Sequence, residues 1–457
     1  MAREMRADQE VEWAEAGLPA QTAAAPSAAK PSAKVVITPV RLRAWGWLSA
    51  LSLVDQGLIS GAGFGVNLLL ARWMAAEAYG AFAVAYAGFL FVSGFHNVIF
   101  IEPMTVIGPS CYSQRLPDYF GAQLRAHVIL VGCLSAICLL AAGLLALWGS
   151  RGLPTIVILT AGLSVPFLLL LLLARRMCYV VQNPLLATQA SSSYALLLLG
   201  GTFALRHFGW LNSTTAFLSM ACTSLLVSAF ILRRLGVSFV LFPAKDCISL
   251  KQLLNENWGY GRWLTLTTAL SWISVQVQTF LVAGFLGLAG AGVLRAMQLP
   301  SLGMTQVIAA TTLLVLPSMS QELGRGNLDR LRKKAVLSTA LLTAFGTLFV
   351  VGSFVFAVPL EKLLFGGKYA SFAWLIAVLG LVPLFTGFSS GLSLALRVLR
   401  KSHFELLAYL VSAVTAVALA LLLMPRWGLV GAAASIVGST AVLAIAVLVC
   451  FLKWGNR

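Results

Sequence analysis

Charge is scarce in this sequence, and negative charge is scarcest: Asp and Glu number 15 in 457 residues, against 32 Lys and Arg. Charged residues make up 10% of the chain and apolar ones 59%, with a mean hydropathy of +0.90. That excludes an ordinary soluble domain, whose apolar share is about 45–50%. What remains is an all-α polytopic membrane protein. The formal net charge of +17 does not make it a nucleic-acid binder, because the cations sit in short connectors between apolar runs, where a bilayer sorts them. The seven cysteines lie far apart without a CxxC pair, so neither a disulfide framework nor a metal site is indicated, and they read as small apolar fillers. There is no Walker loop, no HExxH and no Ser, His and Asp arrangement with a recognisable local context, so no catalytic, cofactor or metal role is assigned. The outer connectors, roughly 4 to 14 residues long, leave little room for a membrane glycosyltransferase or polymerase. The first thirty residues carry charges but no apolar core segment, which argues against a secretory signal peptide.

A helix needs about 20 mostly apolar residues to cross a bilayer. Twelve such runs can be marked off, at 48–70, 81–107, 126–148, 155–174, 185–205, 212–232, 263–287, 292–316, 335–357, 371–396, 404–424 and 428–452. With the N-terminus inside, 25 Lys and Arg fall on the cytoplasmic side and 7 on the other, an alternation that predicts an N-in, C-in topology. The expected organisation is a disordered cytoplasmic tail over 1–41, a six-helix bundle over 42–232, a cytoplasmic connector over 233–262, a second bundle over 263–452 and a short cytoplasmic end over 453–457. The halves echo each other. LLARWMAAEAYGAFAVA (Leu69 to Ala85) lies over LVAGFLGLAGAGVLRAM (Leu281 to Met297) at an offset of 212, pairing Gly80 with Gly292. Two parallel halves around a central cavity form a recurrent transporter architecture.

Polar residues inside the spans are the candidates for function. Asp55 falls in the first span, and a charge at membrane depth costs at least about 2.5 kcal/mol, so a cavity-facing role competes with a hydrogen-bonded place at the helix end. The glycines of GAGFG (Gly61 to Gly65) lie within an apolar span with no preceding strand, so they read as helix packing or a hinge rather than a nucleotide loop. Tyr86, Ser93 and Asn97 share a face of the second helix, with His96 beside them, and at 100° per residue Glu102 falls on nearly the opposite face. In the seventh helix Thr265, Thr268, Trp272, Gln276 and Thr279 form a polar and aromatic stripe, either interhelical glue or a wall for a hydroxyl-rich ligand. Arg295 and Gln298 share a face in the eighth; an arginine there either snorkels outward or turns inward to pair with a phosphate. The later helices are plainer, and Pro359, Glu361, Lys362 and Lys368 read as solvated loop residues.

Ser52 to Phe89, with Leu70, Ala71, Arg72, Glu77, Tyr79, Gly80 and Phe82 at the first turn, resembles the opening of the polysaccharide exporters or Wzx-type flippases. That superfamily also holds the MATE exporters and lipid II flippases. RRMCYVVQNP (Arg175 to Pro184) and LLVLPSMSQ (Leu313 to Gln321) are similar to the family's as well. The resemblance implies a flippase of the bacterial inner membrane. Its substrate would be an isoprenoid-pyrophosphate-linked oligosaccharide for exopolysaccharide or O-antigen (lipopolysaccharide) assembly. Membrane lipid would be a further partner, with a polysaccharide polymerase and glycosyltransferases as neighbours. On this reading Arg295 meets the pyrophosphate, Trp272, Gln276, Gln298, Tyr86 and Asn97 line the sugar path, and Asp55 with Glu102 answers a proton or sodium gradient. A MATE-like antiporter of small organic molecules and a non-transporting subunit of a polysaccharide synthase remain the alternatives.

Overall fold

The computed structural model describes residues 39–147, 152–237, 248–399 and 401–454, and among them every regular element is helical. Residues 1–38 of the expected tail and the middle of the expected connector, 238–247, lie outside the described residues.

The chain opens with α1 (Pro39–Trp73), so the helix begins within the stretch expected to be tail. It continues through α2 (Ala76–His96), a π-helical turn (Asn97–Ile101) and α3 (Glu102–Cys111) as one long rod. Next come α4 (Leu116–Leu147), α5 (Leu153–Val180), α6 (Pro184–His207) and α7 (Ser213–Arg234). α8 (Leu250–Gly324) absorbs the second half of the expected connector, which is therefore helix rather than loop from Leu250 on. Ser249 caps it, its hydroxyl accepting from the Gln252 N–H at 3.1 Å. α9 (Leu328–Phe365), α10 (Trp374–Leu379), α11 (Leu381–Val398) and α12 (Ser402–Trp454) complete the order.

Nine helices among the described residues are long and apolar enough to cross a membrane. Two of them are too long to be single passes. At 1.5 Å per residue the 75 residues of α8 would measure about 110 Å against a hydrocarbon core of about 30 Å. Both α8 and α12 break at a glycine in a conformation closed to other residues, Gly287 (φ 74) and Gly428 (φ 54). α12 then doubles back: Ser412 donates to the carbonyl of Ser439 at 2.9 Å, and a Cβ on Gly431 would lie 2.9 Å from the Met424 nitrogen. Such contacts need an antiparallel hairpin around Gly428.

The largest core cluster unites the halves around α1, α2 and α5–α8, with Tyr79, Phe82, Phe217 and Phe365 fully buried. At the end of the bundle where α1 passes into α2, the halves are clasped. Lys368 donates to the carbonyls of Ala71 (2.9 Å) and Met74, Tyr369 donates to Ala71 (3.1 Å), and Arg72 donates to Leu363 (3.2 Å). Glu361, fully buried, accepts from the Tyr369 N–H at 2.7 Å. The expectation that Glu361 is solvated is thus corrected, whereas Lys368 stays exposed while its ammonium reaches these carbonyls. The last carbonyls of α1 have no partners within their own helix, and a lysine ammonium there satisfies them and complements the helix dipole.

Candidate functional site

Two cavities flank the first part of α8. One, of about 320 Å³, lies within the second half, between both parts of α8, α11 and both arms of α12. Many hydroxyls stud its wall among apolar side chains: Ser274, Ser301 and Thr305 come from α8, Thr386, Ser389, Ser390 and Ser393 from α11, and Thr440 from α12. Gln276, Arg295 and Gln298 line it together. Arg295 is the side chain that sets its chemistry. It is buried, its Nε has no hydrogen-bond partner, and among the described residues it forms no ion pair. Its charge also reaches Tyr79 and Tyr86 on α2. A buried guanidinium without a charged partner is costly.

Arg397 and Glu405 line the same cavity as a bidentate pair, at 2.6 and 2.8 Å. No sequence pattern places them there, because Arg397 falls at the end of a span and reads as a connector cation. As an ion pair the two add no net charge, so Arg295 remains the unbalanced cation of this cavity among the described residues. Tyr409, four residues beyond Glu405 on one face of α12, completes this corner.

The second cavity, of about 680 Å³, is apolar. Phe89 and Phe91 of α2, Val131 and Leu134 of α4, Val157 and Val165 of α5, and Trp272 and Phe280 of α8 form its wall. Trp272 packs edge-on against Phe91, centroids 4.5 Å apart, and its buried Nε1 has no partner. The polar and aromatic stripe of the seventh span is thus divided: Gln276 faces the hydroxylated cavity and Trp272 the apolar one.

The remaining candidates lie elsewhere. Tyr86 is half-buried between Phe82 and Phe89, ring centroids 5.7 and 5.5 Å away, and does not line either cavity. Asp55 is buried within the first half rather than facing a cavity. Its carboxylate receives Arg175 Nη2 at 2.6 Å, the Tyr179 hydroxyl at 2.5 Å and the Ser191 hydroxyl. α5 supplies the first two and α6 the third, so the first arginine and the tyrosine of RRMCYVVQNP hold this aspartate.

Asn97 and Glu102 do not lie on opposite faces as helical spacing predicts. In the π turn the Glu102 N–H donates to the Asn97 carbonyl, a bond five residues long that inserts one residue and swings the two side chains together. Asn97 Nδ2 then donates to Glu102 Oε1 at 3.2 Å. A single-residue insertion leaves no composition signal, so this pairing is invisible to a wheel drawn at constant pitch.

Among the described residues no group of three or more His, Cys, Asp or Glu could hold a metal, and the six described cysteines are free.

Comparison with known proteins bears on the fold that carries this site. Residues 209–374 match the protein-family model Polysacc_synt_3, described as polysaccharide biosynthesis protein. A comparison with curated proteins gave no match. An inward-facing multidrug resistance MATE family transporter of the MOP superfamily is 14% identical, superposes with a TM-score of 0.72 and covers 88% of this chain and 94% of its own. The lipid II flippase MurJ, in an inward closed conformation, is likewise 14% identical, with a TM-score of 0.71 over 89% of this chain and 87% of its own. An outward-facing MATE family transporter, also 14% identical, reaches 0.60 over 90% of this chain and 94% of its own. A segment that matches a polysaccharide-biosynthesis family, carried on the fold of MATE transporters and MurJ, is what the resemblance to polysaccharide exporters and flippases leads one to expect of this membrane protein.

Proposed function

We propose that the protein is a flippase that carries an isoprenoid-pyrophosphate-linked oligosaccharide across the bacterial inner membrane by alternating access, for exopolysaccharide or O-antigen assembly. The observation that carries this reading is the buried, unpaired Arg295 in a cavity walled by hydroxyls and amides. A guanidinium donates two parallel hydrogen bonds to a phosphate, and hydroxyl and amide groups suit a sugar. Gln276 and Gln298 line the sugar path beside it, with Trp272, Tyr86 and Asn97 along the route between the halves. The apolar cavity behind α8 offers the isoprenoid chain a surface that the hydroxylated one does not.

On this reading α8 and α12 each make two passes and α6 makes one. The passes then number twelve, with both termini in the cytoplasm and the clasped end on the outer side. An outer clasp fits the higher TM-score against the inward-facing MATE structure, 0.72, than against the outward-facing one, 0.60. Asp55 in its pair with Arg175, and Glu102 held by Asn97, are the carboxylates through which an ion gradient acts. The polymerase and glycosyltransferases of the same pathway are the expected partners.

A MATE-like antiporter of organic cations needs a free carboxylate in its cavity. The acid lining this one, Glu405, is already bound by Arg397. The test is a complemented deletion strain: Arg295→Ala abolishes glycan export and Arg295→Lys restores part of it. Unchanged export by Arg295→Ala removes the phosphate role. Purified vesicles holding only this protein and the substrate separate a flippase from a non-transporting synthase subunit.

A further inference from the structure

Between α2, α4 and α5 two buried histidines lie in contact, and nothing in the transport path so far uses them. His96 is 3% and His127 2% exposed, and His96 Nε2 lies 3.0 Å from His127 Nδ1. The other nitrogen of His127, Nε2, lies 3.2 Å from the carbonyl oxygen of Pro166. A carbonyl can only accept, so His127 carries its proton on Nε2 and presents a bare Nδ1. His96 must then donate from Nε2, which leaves its own Nδ1 as an acceptor. That atom is buried without a partner. The two imidazoles therefore form a neutral chain with one vacant basic nitrogen at its end.

We propose that the His96–His127 pair is a proton-binding site of the first half, which takes up one proton, at His96 Nδ1. Adding a proton there keeps both existing hydrogen bonds, whereas a second would set an N–H of His127 against the N–H of His96 and break the pair. The stoichiometry is thus one. The loaded ring carries an N–H without an acceptor in this arrangement, so protonation favours any conformation in which Nδ1 meets a carbonyl, a carboxylate or water. His96 sits at the last residue of α2, directly before the π turn, where a one-residue slip re-aims a side chain. The same helix carries Gly80 at its crossing with α8.

Several charged and titratable groups on the surrounding elements are engaged with other partners. On the continuation of α2, Glu102 accepts from Asn97 (3.2 Å). On α4, Arg125 donates to the Ile248 carbonyl (3.1 Å). Arg175 of α5 is held by Asp55, and Glu256 of α8 accepts from Tyr112 (3.0 Å) and Gln252 (3.0 Å). Tyr260 and Arg262 of α8 lie near the same level, since Gly261 packs on Val98. Phe100, stacked on His96 at 4.9 Å, closes the remaining side.

This inference does not rest on the identity of the transported lipid, and its test needs none. The chain has four histidines, so nitrogen-15 spectra of histidine-labelled protein in nanodiscs resolve each ring, and His207→Gln and His403→Gln identify the exposed two. On acidification from pH 8 to 4 the buried pair gains one proton, with the new N–H at His96 Nδ1 and the His127 Nε2–H retained. Two rings that stay neutral throughout, or that both become doubly protonated, overturn the proposal. As a second readout, amide exchange over 76–101, corrected for intrinsic rates, should rise at least tenfold at low pH in the wild type and in His207→Gln, and should not respond in His96→Gln or His127→Gln. A response that survives in both of those variants also overturns it. If neither variant folds, the wild-type spectra decide.

Discussion

Gly80 and Gly292 lie backbone against backbone: a Cβ on either would come within 2.9 Å of the other's nitrogen. These two glycines are the pair that the 212-residue offset aligns between the halves. The contact is reciprocal under that offset, since Gly80 meets the carbonyl of Leu288 and Gly292 meets that of Ala76, and 288 is 76 plus 212. The helices that this offset aligns thus cross in a reciprocal contact, like that of identical subunits at an isologous interface.

That crossing admits no side chain. Gly80→Val and Gly292→Val should each destabilise the folded protein by about 1–3 kcal/mol or more, the usual cost of overpacking against atoms that cannot move. Gly57→Ala, at a position with open space around it, should leave thermal unfolding in detergent unchanged.

The Asp55 and Arg175 pair sets a second expectation. Removing one charge leaves the other buried and unpaired, which costs about 3–5 kcal/mol, so Asp55→Asn and Arg175→Met should each lower stability by that order. The double variant should recover much of the loss. Additive losses in denaturant unfolding would show that the two charges do not act as a pair.

Tyr112, just beyond the end of α3, gives a pH dependence. Burial, and then its hydrogen bond to Glu256, pushes its hydroxyl up to about 12. The folded state therefore holds this proton where the unfolded state has lost it. The associated stability is complete below the ordinary tyrosine value near 10 and is lost as the pH rises from there to about 12. Tyr112→Phe should flatten alkaline unfolding curves in this window.

In the hydroxylated cavity, Glu405→Gln frees Arg397 beside Arg295. A charge-assisted hydrogen bond is worth about 1.5–3 kcal/mol, so inorganic pyrophosphate should bind roughly ten- to hundredfold tighter to this variant in calorimetry. Arg295→Ala should weaken binding by a similar factor.

The sequence made the helical class and the alternation of spans legible because the bilayer imposes a strong, local hydropathy signal. It also marked Gln276, Arg295 and Gln298 as ligand contacts, and they line one cavity from the two parts of α8 either side of the Gly287 break. What it could not reveal were partners distant in the chain. Asp55 finds Arg175 120 residues away. Lys368 reaches across almost 300 residues to the end of α1. Arg397 was hidden by its position at a span end, where a cavity residue and a connector cation read alike. The Asn97 and Glu102 contact was missed for a different reason: one π turn changes the pitch on which every helical-wheel argument depends.

The central claim is that this chain moves a lipid-linked anion through a cavity governed by Arg295. The direct measurement is translocation of a fluorescent isoprenoid-pyrophosphate-linked oligosaccharide in vesicles that contain only this protein, read by the labelled sugar's accessibility to an external quencher. Wild-type vesicles should transfer the label between leaflets far faster than empty ones, and Arg295→Ala vesicles should match the empty ones. Wild-type vesicles no faster than empty ones, or Arg295→Ala vesicles as fast as wild type, would contradict the account.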